Sequence, residues 1–203
     1  MKVILVTASL LVLFAFDVGV AQDIGISRVG VHGGLSAGGD VEDSDLAFGA
    51  QAEMAITDNF FVELAVSLFS DEYQDQGVKL EQDLTTIGLS AIYRGPLTPT
   101  LQGYALAGLN YNIVDMDADV DAAMARGMPV RADLDIDDSF GFHVGVGLNY
   151  AFHAHVEAFA EFRFTFLELD GDVKVEVMDV RQKESFKGDY NYGLLKLGVN
   201  YLF

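Results

Sequence analysis

Cysteine is absent from the 203 residues, which excludes disulfides, a thiolate metal site and lipidation at a lipobox cysteine. Basic residues are scarce: 12 Lys and Arg stand against 31 Asp and Glu, a formal net charge of −19. No basic stripe offsets that balance, so the chain repels nucleic acid and nucleic acid is excluded as a partner. Long apolar runs are missing too. Beyond the N-terminal segment nothing reaches the roughly 20 apolar residues a helix needs to cross a bilayer. Any membrane role must therefore use strands.

The N-terminal segment carries one cation, Lys2, an apolar stretch from Val3 to Phe16, and the small residues Gly19 and Ala21 ahead of Gln22. This pattern predicts a secretory signal peptide, residues 1–21, cleaved near Ala21. Residues 22–203 are one domain's worth of chain.

What the chain does have is alternation. Apolar side chains occupy every second position through eight runs: Ile24–Ala37, Asp45–Thr57, Phe60–Ser70, Asp83–Arg94, Leu101–Val114, Ser139–Ala151, Val156–Leu169 and Asp189–Phe203. Successive side chains of a strand point to opposite faces, so these runs predict strands with one greasy and one polar face. The gaps after runs two, four and six are short, whereas those after one, three, five and seven are longer, polar and mostly acidic. Short turns at one rim, long loops at the other and an even strand number are the organisation of an outer-membrane barrel. The predicted fold is all-β, an eight-stranded antiparallel up-and-down transmembrane β-barrel with both ends in the periplasm.

The greasy face, with Phe48, Met54, Leu64, Leu89, Leu109, Val146 and Leu197 among its members, is assigned to lipid. Aromatics then gather at the strand ends. Tyr93, Tyr150, Tyr201 and Phe203 mark the short-turn rim, and Phe48, Tyr111, Phe142, Phe164 and Phe166 lie toward the long-loop rim, as two interfacial girdles. The opposite face carries four cations, Arg28, Arg94, Arg163 and Lys196, and four carboxylates, Glu53, Glu63, Glu157 and Glu161. A balanced set suits a narrow lumen in which each charge needs a partner. Since eight strands enclose an interior that side chains just fill, the expectation is a plugged barrel. Inward glycines 88, 108, 141, 145, 147 and 198 either make room for crowded neighbours or line a water-filled crevice.

At this point the chain resembles the small eight-stranded outer-membrane barrels of the OmpA/OmpX type. The likeness rests on the signal peptide, on Tyr104-Ala105-Leu106-Ala107-Gly108-Leu109-Asn110-Tyr111 after a Pro-containing turn, on Ala160-Glu161-Phe162-Arg163-Phe164, and on the closing Gly198-Val199-Asn200-Tyr201-Leu202-Phe203. It implies that Tyr201 and Phe203 belong to the signal read by the barrel-assembly machinery. It also implies a structural protein, adhesin, resistance factor or very narrow channel. Larger members add a peptidoglycan-binding domain, which is not expected here.

Three parts of the chain are candidate sites. The stretch from Val114 to Asp138 holds eight aspartates and two arginines; Asp115, Asp117, Asp119 and Asp121 begin like a calcium loop, but Val120 and Arg126 stand where glycine and glutamate are required. It is a solvated acidic loop or a looser divalent-cation binder that bridges to lipopolysaccharide phosphates. With unbroken strand parity Asp115, Asp117 and Asp119 face outward, and Asp133, Asp135 and Asp137 inward. His32 and His143 face the lumen within reach of Glu53 or Glu63, while His153 and His155 sit in a periplasmic turn; no Ser/His/acid set is recognisable. Val173, Val175 and Val177 alternate with Lys174, Glu176 and Met178, as in a hairpin extending beyond the membrane with an edge free for strand addition, or an ordinary ordered loop.

The sequence thus predicts an outer-membrane protein, with no cofactor or metal and no enzyme activity, in a structural or surface-interaction role. Expected partners are outer-membrane lipid and lipopolysaccharide, the assembly machinery, and a surface partner at the acidic loops, with a monomeric barrel. A narrow channel for small or hydrophobic solutes is the alternative, followed by a lipid-modifying enzyme.

Overall fold

A computed structural model describes residues 25–39, 46–75, 78–120, 130–136, 138–177 and 180–203. The predicted signal peptide and the middle of the acidic stretch, residues 121–129, lie outside the described residues. Nine strand segments follow one another: β1 (Ile26–Gly39), β2 (Leu46–Ala55), β3 (Phe60–Asp75), β4 (Val78–Pro96), β5 (Leu101–Val120), β6 (Val130–Ile136), β7 (Ser139–His153), β8 (Val156–Val177) and β9 (Val180–Leu202). Neighbours pair antiparallel from β1 through β5, then β7, β8 and β9, and β9 returns to β1 from Leu202↔Arg28 to Tyr192↔Gly39. The result is a closed eight-stranded barrel. The short β6 pairs with β8 above β7 and continues the same position in the wall.

Alternation sets the faces. Phe140 (78% exposed), Leu109 (67%) and Leu197 (62%) point out, whereas Arg94, Glu63, His143, Asn149 and Lys196 are each at most 2% exposed. Water would reverse this arrangement; the greasy exterior requires lipid as its solvent.

Three short turns close one rim. Thr57 Oγ1 accepts the Phe60 N–H at 3.1 Å and Thr98 Oγ1 accepts the Leu101 N–H at 3.1 Å, so two turns share one Thr-centred geometry. At the other rim the long polar gaps are largely strand. β3 and β4 stay paired to Asp75↔Val78, β4 and β5 to Val78↔Val120, and β8 and β9 to Val177↔Val180. The 22 residues of β8 extend about 73 Å at ~3.3 Å each, although about 10 residues suffice to span. Paired strands therefore project well beyond the membrane.

Two expectations change here. The stretch Val173–Val177 does form a projecting hairpin, but the β8 edge is taken by β6, from Val177↔Val130 to Gly171↔Ile136, so it is not free for strand addition. The register also slips by one residue between Ile136↔Gly171 and Gly141↔Leu167, and parity does not run unbroken. Asp133 and Asp135 stand opposite Lys174 and Asp172 in the register, and Asp137 lies outside the described residues.

Candidate functional site: the filled lumen and its girdles

The four cations and four carboxylates assigned to the inner face are all buried. The eight resolve into two groups, each with two cations and two carboxylates. The reason lies in the register: Glu53 and Glu63 stand directly opposite each other on β2 and β3, a pairing of like charges that disfavours the sheet unless the carboxylates find separate partners. Glu53 turns to Arg28 (3.1 Å) and to both terminal nitrogens of Arg94 (2.9 and 3.0 Å). Glu63 turns to Arg163 (2.8 Å) and accepts from Ser90 (3.2 Å).

Glu157 completes the group nearer the short-turn rim. It meets Arg28 at 3.3 Å and accepts from Asn149 (2.9 Å) and Asn200 (3.0 Å), while Gln51 donates to Asn200. The ring of Phe61 lies 5.1 Å from the Arg28 guanidinium and 4.6 Å from that of Arg94, which places the cations against a π face. Glu161 completes the second group, 2.8 Å from Arg163 and 3.0 Å from Lys196, its direct cross-strand neighbour. Tyr104 links the two: its ring packs 5.2 Å from Arg94 and its hydroxyl donates to Glu161 at 3.0 Å.

The histidines take different partners from those expected. His32 Nε2 lies 3.1 Å from Ser67 Oγ and His143 Nε2 lies 2.8 Å from Ser90 Oγ, so serines and not glutamates pair with both. These two Ser–His pairs could not be read from the chain, since their members are 35 and 53 residues apart. Neither carries a triad's geometry: Glu63 accepts from Ser90 rather than from the imidazole. All four side chains are buried.

Above the charges a cavity of about 10 Å³, room for about one water molecule, is lined by Ser67, Thr86, His143, Arg163, Tyr192 and Lys196 among others. Leu84, Leu167 and Tyr192, with Phe69, Val114 and Tyr190, pack over it as an apolar layer. The inward glycines are filled rather than open. A Cβ at Gly147 would meet the Tyr104 ring, and one at Gly198 would meet Phe159 and the Val31 carbonyl. Gly147 and Gly198 admit large neighbours, whereas Gly88 borders the small cavity.

On the outside, Tyr201 packs edge-on to Phe203 at 5.3 Å at the short-turn rim, while Phe142 stacks on Phe166 at 4.5 Å toward the other. Phe60, Phe140 and Phe152 extend these belts; all three are more than half exposed. Along β7 the belts are bounded by Phe142 to Tyr150 on the inside and Phe140 to Phe152 on the outside. At ~3.4 Å per residue and a tilt of about 40° these spans are about 21 and 31 Å, which bracket the ~25 Å apolar band of outer-membrane barrels.

A closed antiparallel barrel with a lipid-facing exterior, two aromatic belts and a paired polar interior defines the class: a transmembrane β-barrel. The comparisons agree. Residues 8–203 match the family model described as outer membrane protein beta-barrel domain, and the chain belongs to that family. The solved outer membrane protein OprG from Pseudomonas aeruginosa is similar in fold, with a TM-score of 0.62 at 18% identity, covering 87% of this chain and 96% of that one. Neisserial surface protein A gives 0.58 at 16% identity over 88% and 96%. The outer membrane protein AlkL, solved in DMPC bilayers, gives 0.55 at 18% identity over 88% and 90%. No curated protein matches the chain. The protein is a bacterial outer-membrane barrel.

Proposed function

We propose that this barrel serves as a structural and surface-interaction protein of the outer membrane, in envelope integrity, adhesion or resistance, and not as an open pore or an enzyme. One observation carries the reading: the interior is filled by two ion-paired sets of zero net charge beneath an apolar layer, around a cavity of about 10 Å³. Diffusing solutes need a continuous lumen. The two Ser–His pairs are enclosed by the same packing and offer no access to a lipid substrate. What the protein presents to its surroundings is the projecting strand pairs, whose sequence is predominantly acidic from Asp71 to Asp75 and from Asp115 to Asp119.

The same reading makes the barrel a monomer in contact with outer-membrane lipid and lipopolysaccharide, with Tyr201 and Phe203 read by the assembly machinery and a surface partner at the acidic end. Complementation of a deletion strain tests it. Barrels with residues 71–82 and 173–184 replaced by tight turns should assemble yet fail to restore envelope or attachment phenotypes, whereas the luminal exchange His143→Gln, which strands no charge, should restore them. The opposite pattern would place function in the lumen.

A further inference from the structure

The two histidines of the last periplasmic turn are used neither by the lumen nor by the projecting strands. His153 ends β7 and His155 precedes β8; both are exposed, and their ring centres lie 6.4 Å apart. Two imidazoles bound to one ion have ring centres about 5 to 6 Å apart, given metal–nitrogen bonds of about 2.0 Å. A small rotation of exposed side chains covers the difference.

The state of His155 is already set for ligation. Its Nδ1 lies 3.1 Å from the Leu202 carbonyl oxygen. A carbonyl only accepts, so Nδ1 carries the proton and Nε2 presents its lone pair to solvent. Such a backbone acceptor behind an imidazole fixes the tautomer and orients the ring in metal sites generally. Two further contacts hold the ring in place: Leu202 N–H donates to the His155 carbonyl at 2.9 Å, and His155 stacks on Tyr201 at 5.9 Å. His153 is held loosely. Its Nδ1 accepts from the His155 N–H at 3.4 Å, a long contact that is given up easily when the ring turns.

We propose that His153 and His155 form a two-imidazole site for a borderline transition-metal ion on the periplasmic face, with Cu2+ preferred over Ni2+ and Zn2+ and water completing the coordination. The preference follows from nitrogen ligation and the order of divalent affinities. Because the site lies on the turn between β7 and β8 and touches the end of β9, an ion there ties the turn to the closing strand.

The test is titration of the folded, tag-free mature barrel in detergent with Cu2+, followed by electron paramagnetic resonance, with His153→Ala and the double variant His153→Ala/His155→Ala alongside. The expected result is one ion per barrel with two equatorial imidazole nitrogens, and at least a tenfold loss of affinity in His153→Ala. The double variant measures what the terminal amine binds alone, and His153→Ala leaves the Leu202 contact of His155 in place, so folding is preserved. Unchanged affinity in His153→Ala, or a wild-type spectrum with one nitrogen, overturns the proposal.

Discussion

Removing the Glu161 carboxylate tests the lumen most severely. Glu161 is 1% exposed; it accepts from Arg163 at 2.8 Å and from the Tyr104 hydroxyl at 3.0 Å, and forms an ion pair with Lys196 at 3.0 Å. In Glu161→Ala, Arg163 retains Glu63 at 2.8 Å, but Lys196, 0% exposed, has no other ion pair among the described residues. Breaking a buried pair by deleting one partner costs about 3 to 5 kcal/mol, because the remaining charge stays desolvated. At about 1.4 kcal/mol per tenfold, the folded-to-unfolded ratio drops roughly a hundredfold or more. Adding Lys196→Met removes the stranded charge and should recover about 2 kcal/mol, a coupling of the size found for residues in contact. Urea titration of the refolded barrel in lipid vesicles, read by heat-modifiable gel mobility, gives both values. If Glu161→Ala lies within about 1 kcal/mol of wild type, water reaches Lys196 and the dry, paired interior is wrong.

Three other outcomes follow from the same geometry. Glu168→Ala should cost under about 1 kcal/mol in the same titration, because its partner Lys187 is 64% exposed and solvent screens the pair. Gly147→Ala drives a methyl into the Tyr104 ring and should destabilise by about 1 to 3 kcal/mol, and in a Tyr104→Ala background the penalty should vanish; a penalty that persists would place the strain in the backbone. Tyr201→Ala with Phe203→Ala should lower the yield of assembled barrel in cells far more than refolding yield in detergent, and equal losses would mean these rings act by packing alone.

Within the membrane the fold was legible because each strand separates lipid from lumen, and the contrast between Leu64 and Glu63, or Leu197 and Lys196, repeats with period two. Outside the membrane the contrast fades. The sequence there no longer divides into one apolar and one polar row, and strands such as Val78–Asp83 looked like loop. The one-residue slip near Asp138 is a backbone event with no marker in side-chain alternation. The membership of the charge set was legible for the same reason as the strands, since parity alone puts Arg28, Glu53 and Lys196 on one face. Its division into two groups was not. That division depends on Glu53 standing opposite Glu63, a register fixed by the turn Ile56–Asn59 and by long-range closure of β9 on β1. The Ser67–His32 and Ser90–His143 pairs likewise join strands far apart in the chain, and only the closed wall brings them together.

Single-channel recording from the refolded mature chain in a planar bilayer, after heat-modifiable mobility has shown that it is folded, addresses the central claim most directly. A barrel whose interior is closed by Arg94–Glu53, Arg163–Glu63 and Lys196–Glu161 beneath the Leu84–Leu167–Tyr192 layer should give a silent baseline. Discrete, reproducible openings from the same preparation would contradict it, and would mean that these charges line a path.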